Sequence, residues 1–123
     1  MMHESQDYGR EEALRDLVEL RVPLRQAVDR LVSFGWDSDG ELVTFEVKDA
    51  LNVVQAFLSG GLDVASVQLW ADTLEGRDDL GFQLENRDAL KDFLFQFSSP
   101  EICEPISDEM MSRWRDKLRN LDR

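Results

Sequence analysis

Residues 62 to 82 read LDVASVQLWADTLEGRDDLGF, and this stretch contains the clearest helix pattern of the chain. Asp63 is a preferred N-cap residue, and apolar residues then recur three and four positions apart as far as Leu74. Gly76 follows closely and can adopt the left-handed conformation that ends a helix. The pattern therefore predicts a helix between Asp63 and Gly76 with one buried face, which includes Trp70.

The acids directly after this helix need a separate explanation. Glu75, Asp78 and Asp79 lie at the end of the helix, where its dipole disfavours negative charge by about 0.3–1 kcal/mol per group. In one interpretation Arg77 pairs with an acid and fixes the turn; in the other the acids contact a cationic partner. A metal site is a third interpretation, although acids at these positions match no established ligand spacing.

Similar helix patterns on both sides of this stretch predict an all-α fold. We expect a single-domain bundle of about five to six helices over residues 10–123, preceded by a flexible tail over residues 1–9. The predicted helices begin near Glu11, Pro23, Phe45, Asp63, Asn86 and Ser107. Thr44 is the expected cap of the third helix, and the first two could instead form one kinked element. Phe95 is predicted to be core, and Ile102 and Cys103 are predicted to form a buried plug.

The charge of the chain is its strongest compositional feature. It has 26 acids and 14 bases, a formal net charge of −12. The segment from Asp37 to Glu109 holds 17 of the acids and 4 of the bases, a net of −13, so the flanks together carry +1. Such a field repels nucleic acid and anionic lipid and favours basic proteins or cations, although solubility alone would also explain it.

The basic residues of the last helix have a simpler interpretation than nucleic-acid binding. Arg113, Arg115, Lys117, Arg119 and Arg123 follow one another near the C-terminus. They complement the helix dipole there, and we expect them to dock against the acidic middle of the same fold.

Few residues are suited to catalysis. The single histidine, His3, lies in the predicted tail, and Cys103 is the only cysteine, so a His-based triad, a His-ligated zinc and paired cysteines are all disfavoured. Acids are plentiful, but the sequence shows no carboxylate pair at a catalytic separation. No membrane segment or signal peptide is indicated. We therefore expect a cytoplasmic protein without enzymatic activity or cofactor.

Residues 35 to 46 resemble a degenerate EF-hand loop. Asp37, Asp39 and Glu46 occupy the third, fifth and twelfth positions, but Gly35 removes the carboxylate of the first position. These three acids form the alternative metal site. The other interpretation is an Asp-Gly turn in a short hairpin near 36–45, with Trp36 packed on the core.

The chain resembles a group of small acidic uncharacterised bacterial proteins in three segments, which read WDSDGELVTF, LWADTLEGRDDLGF and LFQFSSPEI. The shared motif is a Trp-Ala pair followed by Glu-Gly-Arg-x-Asp, represented here by Trp70, Gly76 and Arg77 among others. The resemblance covers about residues 23 to 118. It implies a bacterial, cytosolic origin and carries no chemistry.

The sequence thus favours a non-enzymatic acidic module that binds a basic protein. The acids expected to bind the partner are Asp37, Asp39, Glu41, Asp72, Glu75, Asp78 and Asp79. In size and charge the chain is similar to immunity and antitoxin proteins, which mask basic nuclease toxins. A divalent-cation-binding protein and a purely structural role are the alternatives, and either a monomer or a homodimer is compatible with the pattern.

Overall fold

The computed structural model of the protein describes residues 2–34 and 40–122, with side chains from Gly9 onward. Within these residues the chain forms six α-helices and one small parallel sheet, which confirms the predicted all-α class. The elements are α1 (Met2–Val18), α2 (Leu24–Val32), β1 (Val43–Phe45), α3 (Val47–Leu58), α4 (Val64–Leu74), β2 (Leu80–Phe82), a 3-10 turn (Leu84–Asn86), α5 (Arg87–Ser98) and α6 (Asp108–Leu121).

Helix α4 lies as the sequence predicted. Asp63 caps it by accepting a hydrogen bond from the Ser66 amide at 2.8 Å, and Gly76 has a positive φ of 78° just beyond its end. Trp70 is fully buried on this helix, and its indole nitrogen donates to the Leu17 carbonyl at 3.0 Å. That carbonyl belongs to the last turn of α1 and also accepts from the Leu20 amide at 3.3 Å, so Trp70 ties α4 to the end of α1.

Aromatic side chains from four elements form the centre of the core. Phe45 of β1 lies 5.7 Å from Trp70 between ring centroids, and Phe93 of α5 lies 6.1 Å from the same indole. Phe93 also contacts Phe97 at 4.7 Å and Trp114 of α6 at 5.1 Å, in edge-to-face arrangements that aromatic rings prefer. This cluster joins α4, α5, α6 and β1.

The predicted start of the third helix was wrong. Thr44 and Phe45 belong to β1, and the helix begins at Val47 with Glu46 as its N-cap. The side chain of Asp49 accepts a hydrogen bond from the Glu46 amide at 3.0 Å, a local arrangement that starts the helix after the strand. Phe45 is extended because β1 pairs with β2, where Phe45 lies opposite Phe82, a contact that the local helix pattern does not contain.

The two strands pair in parallel, which local sequence patterns did not predict. Val43 lies opposite Leu80 and Phe45 opposite Phe82, and helices α3 and α4 provide the crossover that a parallel pair requires. The observed partner of β1 is therefore β2 and not a strand of a local hairpin. The first part of the predicted hairpin, including Trp36, lies outside the described residues.

Helices α1 and α2 are separate and not one kinked element. Leu20 has a positive φ of 53°, and the amides of Leu20 and Arg21 donate to the carbonyls of Leu17 and Asp16, which closes α1. At its other end α1 begins at Met2, so the predicted start at Glu11 was wrong. The helix includes residues 2 to 9, and their flexibility stays a prediction.

Three expectations about burial near α5 and α6 were wrong. Phe95 is 43% exposed because Leu90, Phe93, Leu94 and Phe97 already form the buried face of α5. Ile102 is 73% exposed and Cys103 is exposed, so they form no buried plug. Ile106 takes the core position beside α6 instead.

Helix α6 begins as predicted, because the Ser107 hydroxyl accepts a hydrogen bond from the Met110 amide at 3.1 Å. Its basic face contacts the acidic middle of the chain through Arg113, which pairs with Glu104. Arg115 pairs with Asp116 of the same helix, and Lys117 lies 4.8 Å above the Trp114 ring. Arg123 lies outside the described residues.

Candidate protein-interaction groove

The turn between α4 and β2 contains a buried ion pair. The Nε of Arg77 lies 2.8 Å from Oδ1 of Asp79, and its second guanidinium nitrogen lies 3.1 Å from Oδ2. The two side chains are 1% and 0% exposed. The structure confirms that Arg77 pairs with a neighbouring acid, in a two-bond geometry that is among the strongest for charged groups.

Asp79 also connects this turn to the rest of the fold. Its Oδ2 lies 3.3 Å from Nη1 of Arg10 in α1, and Arg10 also donates to the Phe34 carbonyl at 2.6 Å. The backbone carbonyl of Asp79 accepts hydrogen bonds from the amides of Leu42 and Val43 at 2.7 and 3.3 Å. Asp79 was predicted to bind the partner, but its carboxylate is fully buried and cannot contact a partner directly.

Three of the other predicted partner-binding acids come together in space. Glu41, Glu75 and Asp78 line one groove, although Glu41 is more than thirty positions away in the sequence. The Glu41 carboxylate lies against Gly81 of β2, close enough that an added Cβ there would meet it at 2.5 Å. Glu41 and Asp78 are exposed, and Glu75 is half-buried.

The remaining predicted acids do not lie in this groove. Asp72 is exposed on α4, and partial burial together with the nearby Glu101 carboxylate raises its pKa. Asp37 and Asp39 lie outside the described residues. The candidate set in the described part of the chain is therefore reduced to Glu41, Glu75 and Asp78.

The groove itself has a volume of about 660 Å³ and lies between the segment from Leu74 to Leu84 and helix α5. We call it the β2–α5 groove. Its apolar lining consists of Leu74, Leu80, Phe82, Leu84 and Phe95. Leu84 is 85% exposed and Phe95 is 43% exposed, so two large apolar side chains stand at an open groove. These two side chains could lose contact with water if a partner occupied the groove.

Helix α5 contributes basic residues to the same groove. Arg87, Lys91 and Phe95 follow at intervals of four along one helix face, and all three line the groove. The Nζ of Lys91 lies 5.6 Å from the centre of the Phe82 ring. Asp92 is also in the lining, and its carboxylate accepts a hydrogen bond from the Gln96 amide group at 3.0 Å. These basic residues were not among the predicted site residues, although their spacing of four places them on one helix face with Phe95.

Of the alternative metal site, the structure describes only Glu46. Glu46 caps α3, and its carboxylate lies 3.6 Å from Nζ of Lys48. Among the described side chains, which are those of residues 9–34 and 40–122, no three His, Cys, Asp or Glu residues form a group that could hold a metal ion. Because Asp37 and Asp39 fall in the gap between these ranges, the calcium-type loop stays a prediction.

Comparisons of the chain with protein-family profiles, curated proteins and solved structures give no match. None of the described helices has both the length and the apolar character needed to cross a bilayer. Function must therefore be argued from the β2–α5 groove and the charge of the chain.

Proposed function

We propose that the protein is a non-enzymatic binding protein whose β2–α5 groove holds a basic surface of another protein. The observation that carries this proposal is the placement of Glu41, Glu75 and Asp78 beside the exposed side chains of Leu84 and Phe95. An immunity-like or antitoxin-like role, in which the partner is a basic toxin and is masked by binding, is one form of this function.

The negative charge of the protein favours a positively charged partner. The chain carries a formal net charge of −12, and a field of this sign accelerates association with positively charged proteins. The acids of the groove lie at its surface, whereas the charge of Asp79 is already matched by Arg77 and Arg10 inside the fold. Glu41, Glu75 and Asp78 are therefore the acids best placed to attract the partner.

The apolar residues supply affinity. Full burial of a Leu or Phe side chain contributes about 1.5–3 kcal/mol relative to exposure. Burial of Leu84 on binding can contribute most of this free energy because its side chain is 85% exposed, and burial of Phe95 can contribute part of it. A protein surface with an apolar projection between basic residues would use both kinds of contact.

The proposal is tested by affinity capture from nuclease-treated lysate of the source organism. The baits are the wild type, the groove variant Glu75→Lys/Asp78→Lys and a control, Asp29→Lys/Asp122→Lys. The control changes the net charge by the same amount at exposed residues that do not line the groove. Bound proteins are eluted with a salt step and identified by mass spectrometry.

We expect one basic protein to bind the wild type and the control near stoichiometrically, to elute with salt and to be lost from the groove variant. Equal capture by all three baits would contradict the proposal, because binding would then not depend on the groove. Capture of no protein by the wild type would also count against it. Melting curves of all baits must show that the variants are folded.

A further inference from the structure

The two sides of the β2–α5 groove differ in charge, because the exposed and half-buried charged residues of the turn after α4 are acids, whereas α5 contributes two bases and one acid, Asp92. The acids Glu75 and Asp78 come from the turn after α4, and we call these two residues the acidic rim. Arg87 and Lys91 come from the first two turns of α5, and we call them the basic rim. A partner segment that was basic throughout would meet repulsion at α5.

Apolar side chains line the groove together with both rims. Phe82 and Leu80 belong to β2, and the Lys91 ammonium lies 5.6 Å from the Phe82 ring. Leu84 follows the strand, and Phe95 lies two turns beyond Arg87 on α5. The groove thus combines apolar side chains with the acidic rim on one side and, on α5, the basic rim and Asp92 on the other.

The length of the groove along α5 limits the size of the segment. Arg87 and Phe95 are eight residues apart, which corresponds to about 12 Å along a helix. A partner helix of about eight residues, or an extended segment of about four, covers this distance. The recognised unit is therefore short enough to be represented by a peptide.

We propose that the groove recognises a short amphipathic segment of the partner protein, with an apolar centre, Lys or Arg facing the acidic rim and Asp or Glu facing the basic rim. This inference rests on the proposed function and adds the charge pattern of the partner. Charge pairs of this kind contribute little affinity individually, but like charges placed opposite each other are strongly disfavoured. The two rims therefore determine mainly which partner binds and in which orientation, and contribute less to affinity.

The test uses a displayed library of random peptides about 16 residues long, selected separately on four baits. The baits are the wild type, the acidic-rim variant Glu75→Lys/Asp78→Lys, the basic-rim variant Arg87→Glu/Lys91→Glu and the control Asp29→Lys/Asp122→Lys. Peptides enriched on the wild type are counter-screened against Leu84→Asp/Phe95→Asp, which keeps both rims and removes the apolar contacts. Circular dichroism establishes that each bait is folded.

We expect wild-type and control peptides to combine apolar residues with both signs of charge. Peptides from the acidic-rim variant should lose their basic residues, and those from the basic-rim variant should lose their acids. A wild-type peptide should bind either rim variant about tenfold more weakly.

Other outcomes separate the inference from the proposed function. Peptides selected on the wild type could be purely basic and bind the basic-rim variant as tightly as the wild type. That result would overturn the inference and leave the proposed function standing. Peptides that bind the Leu84→Asp/Phe95→Asp variant equally well, or no enrichment at all, would overturn both. A wild-type dimer that becomes monomeric in this variant, measured by light scattering, would show that a second copy occupies the groove and would overturn the inference.

Discussion

Replacement of Asp79 by Asn should destabilise the protein severely, because it removes the negative charge and leaves the Arg77 guanidinium buried. The Arg77 and Asp79 side chains are 1% and 0% exposed, so water cannot replace the lost carboxylate. Loss of one partner from a buried ion pair costs about 3–5 kcal/mol. Since domains are stable by about 5–15 kcal/mol, this loss removes a large part of the total.

Urea denaturation followed by tryptophan fluorescence measures this loss, because Trp70 and Trp114 are buried in the folded protein. With a denaturant slope of about 2 kcal/mol per molar, the midpoint should fall by about 1.5–2.5 M. Asp78→Asn is the matched control, because Asp78 is the exposed neighbour in the same turn. Its effect should stay within about 0.5 kcal/mol.

A double variant tests whether the cost comes from the buried charge of Arg77. Arg77→Met/Asp79→Asn removes the buried guanidinium together with the charge of its Asp79 partner, so it should lose less stability than Asp79→Asn alone. If Asp79→Asn costs less than about 1 kcal/mol, or if the double variant is the less stable of the two, the assignment of a buried ion pair is refuted.

Three further predictions concern other parts of the fold. Burial raises the pKa of Asp49 from 3.8 to about 6, so the stability of the wild type should fall as pH rises through this range. Above pH 6, Asp49→Asn should be more stable than the wild type by about 1–2 kcal/mol after allowance for solvent screening. Urea midpoints of both proteins at about pH 4 and 7.5 measure this, and the same difference between the proteins at both pH values would contradict it. Trp70→Phe removes the donor to the Leu17 carbonyl and should cost about 1–3 kcal/mol in urea denaturation, whereas an unchanged midpoint would argue against that hydrogen bond. Gly76→Ala should cost about 1–2 kcal/mol because of the positive φ of 78°, while Gly40→Ala should have little effect in the same assay; equal costs would contradict this explanation.

Local signals were sufficient to predict much of the helical framework. Helices α4 and α6 have caps with side-chain acceptors, Asp63 and Ser107, and each accepts the predicted kind of hydrogen bond from the amide three positions on. Their apolar residues repeat at helical spacing and are buried. Where cap, period and burial agree in this way, the sequence determines the element locally.

The sheet and the site depend on contacts between distant residues, which local patterns do not contain. Strands β1 and β2 have three residues each, too few to show alternation, and their pairing joins Val43 to Leu80. Buried acids are rare, so Asp79 was included among the exposed partner-binding acids, and its complete burial beside Arg77 became evident only in the structure. Glu41 reaches the groove through the same strand pairing.

The most direct test of the proposed function is the association rate of the captured basic partner, measured by surface plasmon resonance at ionic strengths of about 0.01 and 0.15 M. For the wild type we predict a decrease of about tenfold or more between the two conditions, because salt screens the attraction between the acidic protein and its basic partner. For Glu75→Lys/Asp78→Lys we predict slower association at low salt and a much weaker dependence on salt. Identical rates and salt dependence for the two proteins would contradict binding at the β2–α5 groove.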